Sequence, residues 1–347
     1  MKILFFIHGL YGGGAERVAS ILLNHFCEKH ETYVAIYNFK AHSYPIDSRV
    51  HIIDDRKKKY SRFTPQFLKM ANTIKRIDPD IIISFIVKEN NRALGANLFF
   101  RKKIIVSERI TLNRKKSLKH RILRRLLYPF ADKIVFVTKD DCQKFGLSRK
   151  SLTIYNPAIL LPYTNYSNRN KTIITIATQS RWYSKGLDVL LKAWGKIASQ
   201  NPDWDLKIYG RIDGELSAEL TKLPQERVTW AGWTDNIAEA LQTASIFILT
   251  SRFEGCPNSL IEAMSQGCVC VGTNCDGGIK EIINDGINGL IIQKENVDDT
   301  AQKLQTLIND EQLRRELSSG AIEKAKQFDK KVFFERWDKL IDNIVKK

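Results

Sequence analysis

Two glutamates flank the predicted start of a helix near residue 260. Glu254 lies in the loop after an apolar run, and Glu262 lies about one turn inside the following helix. Pro257 stands where that helix would begin, since the first turn of a helix tolerates a missing N–H. The first backbone amides would be unpaired donors suited to a phosphate, and they belong to Asn258, Ser259 and Leu260. The two carboxylates would then accept hydrogen bonds from sugar hydroxyls on either side of that phosphate. The alternative is an ordinary strand–loop–helix connection with an N-cap Ser or Asn and two solvated glutamates.

The motifs around these residues favour the first interpretation. Seven residues separate Glu254 from Glu262 inside the pattern Glu-Gly-x-Pro-Asn-x-Leu-x-Glu-Ala. This pattern resembles the signature of the family-4 retaining glycosyltransferases, which have the GT-B fold. Four further segments resemble motifs of that family in the same order: Gly13-Gly14-Ala15-Glu16-Arg17, Ile154-Tyr155-Asn156-Pro157, Ser180–Gly186 and Gly277–Gly289. The resemblance covers nearly the whole chain, and the layout is similar to that of bacterial enzymes that extend lipid-linked oligosaccharides.

The resemblance implies roles for the matching residues. Glu262 would hold the ribose of a nucleotide sugar, and Glu254 would contact the transferred sugar. Arg181 and Lys185 would neutralise the diphosphate, because negative charge develops on the β-phosphate as the glycosidic bond breaks. The donor site would also include amides near Asn258, Ser259 and Leu260 and the close-approach glycines Gly13 and Gly14.

Several assignments are less specific than these. Three residues separate Arg181 from Lys185 where the family has four, so Lys185 could instead be a solvated lysine at a helix start. Glu16 is either an acceptor-site acid or an acid favoured by the helix dipole. Glu108 and Arg109 follow a buried strand and are acceptor-side candidates, at a position where some relatives have a His.

We expect no metal, because the cationic pair and the helix terminus make one unnecessary, and no other cofactor, because the nucleotide sugar is a substrate. The segments 78–80 and 203–205 match Asp-x-Asp, the metal-binding signature of a different glycosyltransferase fold. Each precedes a strand, at the end opposite to where such sheets bind ligands, so we interpret them as turn and capping residues. The six cysteines are scattered without a Cys-x-x-Cys pair, which favours a reducing, cytoplasmic location over a disulfide framework or a metal site.

The elements that must position these residues alternate along the chain as strand and helix, twice over. This alternation predicts an α/β fold with two Rossmann-like, doubly wound domains facing a central cleft. We place the acceptor-binding domain at 1–160 and the nucleotide-sugar-binding domain at 161–329. A final amphipathic helix at 330–347 is expected to pack back on the first domain. The apolar runs are strand-sized and far shorter than a spanning helix needs.

Charge is divided unequally between the two halves. The chain carries a formal net charge of +17, and residues 1–160 contribute +18 while residues 161–347 contribute −1. One basic amphipathic segment predicts binding to an anionic membrane surface through Arg114, Lys115, Lys116, Lys119, Arg121, Arg124 and Arg125. The alternative is a solvated helix face over core leucines. Nucleic acid would also suit the charge, but no nucleic-acid module is visible.

Together these patterns predict a retaining, metal-independent glycosyltransferase at the inner face of the plasma membrane. It would move a hexose or N-acetylhexosamine from a nucleotide diphosphate sugar, by resemblance a UDP-sugar, to a lipid-linked saccharide such as a polyprenyl-diphosphate oligosaccharide. The product would belong to a surface glycan. The alternatives are a UDP-sugar epimerase or hydrolase of the same fold, a transferase for a soluble acceptor, and a basic binding protein without catalysis.

Overall fold

The computed structural model describes residues 1–37, 44–54, 65–112, 118–159, 169–212, 216–234 and 236–346. The chain divides into two compact units. Unit 1 comprises Met1–Asn156 and Lys331–Lys347, and unit 2 comprises Pro157–Lys330. The first crossing between the units therefore falls a few residues before the boundary that we placed after residue 160.

Unit 1 is built on a parallel sheet. Within the described residues its strands are β1 (Lys2–Ile7), β2 (Glu31–Ile36), β3 (His51–Asp54), β4 (Ile81–Phe85), β5 (Lys103–Ser107), β6 (Lys133–Phe136) and β7 (Ser151–Thr153). They lie in the order β3-β2-β1-β4-β5-β6-β7. The helices between them are α1 (Gly14–Phe26), α2 (Gln66–Ile77), α3 (Val87–Asn97), α4 (Leu118–Leu127) and α5 (Lys139–Phe145).

Helices cover both faces of this sheet, which explains the nearly unbroken apolar sequence of its central strands. Along β1, Phe5 packs in the core that includes the apolar side of α1, whereas Leu4 and Phe6 pack in the core that includes α2 and α3. The side chains of Ile82 and Ile83 on β4 alternate between the same two cores. The strand-helix alternation of the sequence is therefore realised as a sheet with a core on each face.

Unit 2 repeats the plan. Its described strands are β8 (Asn170–Ile176), β9 (Asp205–Tyr209), β10 (Val228–Gly232), β11 (Ala244–Leu249), β12 (Val269–Thr273) and β13 (Leu290–Ile292). They are parallel and lie in the order β10-β9-β8-β11-β12-β13. The helices are α6 (Trp182–Lys185), α7 (Leu187–Ile197), α8 (Ala218–Thr221), α9 (Ile237–Thr243), α10 (Asn258–Ser265), α11 (Ile279–Ile282), α12 (Val297–Asn309) and α13 (Glu311–Ala325).

Two consecutive helices, α12 and α13, follow β13. Asp310 separates them, because its side chain accepts a hydrogen bond from the amide of Leu313 and caps α13. In both units the order of strands reverses beside the first strand, between β1 and β4 and between β8 and β11. Ligands of such sheets bind beyond the carboxyl ends of the strands at this reversal. The predicted pair of doubly wound α/β sheets is confirmed.

The last helix, α14 (Lys330–Val345), returns to unit 1. Phe333, Trp337 and Ile341 belong to the same buried core as Phe5 and Phe26. This is the apolar stripe at helical spacing that the sequence shows. Across the part of the chain that the structure describes, no helix combines the length and the apolar character needed to cross a bilayer.

Candidate active site

The helix that carries the second glutamate begins where the sequence predicts. Pro257 is the N-cap of α10, Asn258 is its first residue, and no side chain caps it. The amide of Leu260 donates to the carbonyl of Pro257 at 3.1 Å. The predicted role of the Leu260 amide as a donor to a phosphate stays a prediction. The roles of Asn258 and Ser259 stay predictions.

Glu254 lies in a buried ion pair. Its Oε1 accepts hydrogen bonds from Nζ of Lys185 at 2.6 Å and from Oγ of Ser251 at 2.7 Å, and the carboxylate is 9% exposed. Burial alone would raise the pKa of Glu254. The charge and hydrogen bond of Lys185, the hydrogen bond of Ser251 and the charge of Arg181 outweigh this, so the pKa lies below its ordinary value. The carboxylate is therefore ionised and fixed in orientation.

The loop of Glu254 rests on the loop after β12. The amide of Glu254 donates to the carbonyl of Asp276 at 3.4 Å, and the amide of Gly278 donates to the carbonyl of Gly255 at 2.6 Å. Gly277 has φ of +119°, and a Cβ there would come 1.7 Å from the carbonyl oxygen of Glu254. The approach of these two loops thus requires glycine at position 277. This contact explains physically why the sequence motif around Gly277 and Gly278 contains glycine.

The two predicted phosphate cations lie on one short segment. Arg181 is exposed at the end of a 3-10 turn, and Lys185 ends α6. Gly186 follows in the left-handed conformation, where a Cβ would come 2.0 Å from the carbonyl oxygen of Thr250. The hydroxyl of Thr250 donates to the carbonyl of Gly186 at 2.8 Å. These contacts bring Lys185 to Glu254 even though the loop is one residue shorter than the family pattern.

Glu262 occupies a different environment from Glu254. It lies inside α10 with only 3% of its surface exposed, and its backbone carbonyl accepts hydrogen bonds from the amide of Gln266 and the hydroxyl of Ser265. Its predicted contact with a ribose stays a prediction.

In unit 1, the glycine-rich turn joins β1 to α1. Gly13 is the N-cap of α1, and the carboxylate of Glu16 folds so closely over it that a Cβ at Gly13 would come 2.0 Å from Oε2. Burial raises the pKa of Glu16 above its ordinary value, against smaller opposing effects of its own backbone amide and of His8. The predicted roles of Gly13, Gly14 and Glu16 stay predictions.

A cluster beside this turn was missed by the sequence analysis. His8 follows β1, and its Nδ1 lies 3.3 Å from Oε1 of Glu89 on α3. Arg92 donates to the other oxygen of Glu89 at 3.0 Å. Glu89 is 2% exposed, whereas His8 is about half exposed. Only the position of His8 after a buried strand could have suggested it, since Glu89 and Arg92 carry no motif.

Two acceptor-side candidates lie in the interior of unit 1. Glu108 is 1% exposed and accepts a hydrogen bond from the hydroxyl of Tyr128. Burial, and then the neighbouring Glu108, raise the pKa of Tyr128 well above its usual value. Arg109 is 7% exposed, donates to Asn156 at 2.9 Å, and lies over the ring of Phe85. These contacts hold both side chains inside the unit, and their predicted acceptor-side roles stay predictions.

The predicted membrane segment is also revised. Arg124 is buried, 3.9 Å from Glu108 and over the ring of Phe145, so it does not belong to an exposed patch. Its neighbours on α4 form an exposed surface with a basic part and an apolar part, which we call the α4 surface: Lys119, Arg121 and Arg125 with Leu118, Ile122 and Leu126. Arg114, Lys115 and Lys116 lie outside the described residues.

The Asp-x-Asp segments take part in turns and caps. Asp78 is the left-handed C-cap of α2 and pairs with Lys102 at 2.6 Å. Asp80 accepts a hydrogen bond from the amide of Lys2, and Asp203 pairs with Lys171 at 3.0 Å. Among the described residues no group of three or more His, Cys, Asp or Glu side chains is arranged to hold a metal ion.

The sequence of this chain is similar to those of known glycosyltransferases. Residues 170–310 match the family model described as glycosyl transferases group 1. Two Campylobacter jejuni N-acetylgalactosaminyltransferases, named for undecaprenyl-diphosphate-linked saccharides, are 26% and 28% identical. The first alignment covers 99% of both chains, and the second covers 95% of this chain and 96% of the relative. The amylovoran biosynthesis glycosyltransferase AmsD of Erwinia amylovora is 26% identical over 98% of this chain and 99% of its own.

Solved structures share the fold. HepE from Anabaena, solved in complex with UDP, has a TM-score of 0.83 at 19% identity and covers 99% of this chain and 100% of its own. Sucrose-phosphate synthase from Thermosynechococcus elongatus has a TM-score of 0.77 at 14% identity, over 99% and 98% of the two chains. Residues 170–310 therefore match a glycosyltransferase group 1 domain, the relatives that align over nearly the whole chain are named as glycosyltransferases, and the chain has the GT-B fold.

Proposed function

We propose that this protein is a retaining glycosyltransferase of family 4 that transfers a hexose or N-acetylhexosamine from a UDP-sugar to a lipid-linked saccharide. The observation that carries the proposal is the buried pair of Lys185 and Glu254 beyond β11. It places a fixed cation and an ionised carboxylate at the edge of a doubly wound sheet where ligands bind. A diphosphate needs the cation, and the hydroxyls of a sugar need the acceptor oxygens.

In this mechanism Lys185 and Arg181 bind the diphosphate. As the bond from the sugar to the β-phosphate breaks, their positive charge stabilises the leaving UDP more strongly than the intact donor. Glu254 accepts hydrogen bonds from the transferred sugar and holds it in place. The acceptor hydroxyl forms the new bond to the same sugar carbon, and its proton leaves with the UDP. Retention at this carbon is proposed from the resemblance to family-4 enzymes.

The proposed acceptor is a saccharide on a polyprenyl diphosphate, used in the biosynthesis of a surface glycan. The names of the Campylobacter relatives support this, since they give undecaprenyl-diphosphate-linked acceptors. The α4 surface supports a location at the inner, anionic face of the plasma membrane. It offers an exposed row of Leu118, Ile122 and Leu126 beside exposed arginines, which fits a helix lying in the membrane interface.

We further propose that transfer needs no metal ion. Lys185 and Arg181 supply fixed positive charge to the diphosphate, which is the task that a divalent cation performs in other transferases. The test is transfer in EDTA with and without added Mg²⁺. We expect equal rates, and complete inhibition that Mg²⁺ reverses would contradict the proposal.

The experiment for the whole proposal is a screen of UDP-sugars by mass spectrometry, with and without a membrane extract that contains lipid-linked saccharides. We expect UDP release and a product one sugar heavier only when the extract is present. Hydrolysis or epimerisation without extract would favour the alternative enzymes of the same fold, and transfer to a soluble sugar would favour a soluble acceptor. No turnover of any nucleotide sugar would reject the enzymatic role.

A further inference from the structure

Arg252 is buried two residues before Glu254, and each of its three guanidinium nitrogens donates to a neighbour in unit 2. It is 6% exposed. Nη1 and Nη2 donate to the two oxygens of Asp188 at 2.8 Å each, and Nε donates to Glu295 at 2.6 Å. This planar, forked arrangement is the geometry in which an arginine recognises a carboxylate. It anchors Arg252 to the first turn of α7 and to the loop before α12.

The side chain of Arg252 also contacts α6. Nη1 of Arg252 donates to the backbone carbonyl of Tyr183 at 2.6 Å, and the guanidinium carbon lies 4.0 Å from the centre of the Tyr183 ring. The backbone amide of Arg252 donates to the carbonyl of Ser184 at 3.0 Å. Arg252 therefore contacts both residues that precede Lys185 and, through Asp188, the helix that follows it.

These contacts argue against direct binding of a diphosphate by Arg252. Two carboxylates, Asp188 and Glu295, already outweigh its single positive charge. Hydrogen bonding to Asp188, against the effect of burial, raises the pKa of Arg252. Burial would raise the pKa of Asp188, but the hydrogen bond and charge of Arg252 hold it below its ordinary value. A cluster with more negative than positive charge, and with hydrogen bonds already made by all three guanidinium nitrogens, is a poor site for a further anion.

We propose that Arg252 is a positioning residue, which fixes the segment 181–186 so that Lys185 and Arg181 meet the diphosphate in a set geometry. This inference rests on the proposed function for the role of the two cations. Lys185 has a flexible four-carbon side chain and reaches Glu254 only because its backbone is held close to the Glu254 loop. Displacement of catalytic groups by about 1 Å can cost 10²-fold in rate.

The test compares Arg252→Lys with Arg227→Lys. A lysine at 252 keeps the charge but cannot pair with Asp188 and reach Glu295 and Tyr183 at once. Arg227 is a matched control, because it is a partly buried arginine of the same unit that donates to a carboxylate and to a carbonyl. We expect R252K to lower transfer more than tenfold with a smaller change in KM for the acceptor. R227K should stay within twofold of the wild type.

Hydrogen–deuterium exchange gives a readout that does not depend on activity. In R252K we expect faster exchange across the peptide that contains residues 181–188, with unchanged exchange in the strands of unit 2. Asp188→Asn, which removes the charge of the carboxylate that pairs with Arg252, should also speed exchange of this peptide. Unchanged exchange in both variants would overturn the inference, whatever happens to the rate.

A double-mutant cycle separates positioning from general destabilisation. If Arg252 acts through Lys185, R252K should weaken UDP binding several-fold in the wild-type background but less than twofold in Lys185→Ala. Independent, multiplicative losses would contradict the inference. A wild-type protein that turns over no nucleotide sugar, with exchange raised in R252K, would support the segment-holding role and reject the proposed function. The two failures are therefore distinguishable.

Discussion

The α-carbon of Gly277 lies directly against the carbonyl group of Glu254. A Cβ at this position would come 1.7 Å from the carbonyl oxygen and 2.7 Å from the carbonyl carbon. Both neighbours are backbone atoms, so neither can turn away as a side chain could. The loop that carries the proposed catalytic carboxylate thus depends on a missing methyl group in another loop.

Gly277→Ala should therefore displace the Glu254 loop. We expect transfer to fall at least a hundredfold and the free energy of unfolding to fall by about 2 kcal/mol or more, since the residue also has a positive φ. Transfer assays and urea unfolding measure the two effects. Gly146→Ala is the control, because Gly146 has φ of +90° and a Cβ added there would meet nothing within 4 Å. Equal losses in both variants would show that strain alone, and not the contact, matters.

Glu254→Gln tests the ion pair by its pH dependence. The pKa of Glu254 is depressed in the fold, so its charge stabilises the protein above the ordinary carboxyl value of about 4.3. That contribution is lost as the pH falls through the depressed value. We expect the free energy of unfolding of the wild type to exceed that of E254Q by roughly 1–3 kcal/mol at pH 7. This difference should shrink below about pH 4. Urea unfolding at each pH measures it. Glu323→Gln, in an exposed pair with Lys326, should change little, and a constant difference in E254Q would contradict the assignment.

Glu262→Gln and Glu262→Ala test the proposed ribose contact. Hydrogen bonds to a charged group contribute about 1.5–3 kcal/mol, so UDP affinity should fall about 10-fold to 150-fold. Titration calorimetry with UDP gives the affinity, and circular dichroism checks that the buried site still folds. Glu316→Ala, on the exposed side of α13, serves as the control. Unaltered UDP binding in both Glu262 variants would reject the contact.

The α4 surface predicts salt-sensitive binding to anionic vesicles. Arg121→Gln with Arg125→Gln should weaken binding roughly 30-fold at low salt, because each surface cation contributes about 1 kcal/mol. Vesicle sedimentation at low and high salt measures this. Lys75→Gln with Arg76→Gln removes the same charge from exposed positions of α2 and should have a smaller effect. Binding that ignores salt, or that survives neutralisation of α4, would refute the membrane role of this surface.

Arg124 should behave differently from its basic neighbours. Because it pairs with buried Glu108, Arg124→Gln should lower the free energy of unfolding by about 3 kcal/mol. Vesicle binding, corrected for the folded fraction, should stay as in the wild type. Urea unfolding and vesicle sedimentation of the same preparation distinguish the two roles. A stable variant with weakened vesicle binding would instead show that Arg124 contributes to membrane binding.

Local signals in the sequence predicted most of the scaffold but only part of the candidate site. Pro257 and Gly267 mark the limits of α10 because their backbone preferences act within a few residues. The role of Arg252 was not visible, since its carboxylate partners lie 64 and 43 residues away along the chain. The burial of Arg124 was missed for a related reason, because helical spacing shows charge but not which charge finds a distant partner.

The core of unit 1 depends on helix α14, a segment that follows unit 2 along the chain. Trp337 and its neighbours complete the core that surrounds Phe5, so this core is complete only after α14, which follows unit 2 along the chain, has been synthesised. All of unit 2 is synthesised before α14 and can fold while the core of unit 1 is still incomplete. A chain that lacks α14 would therefore have an open apolar face on unit 1, although all of unit 2 is present.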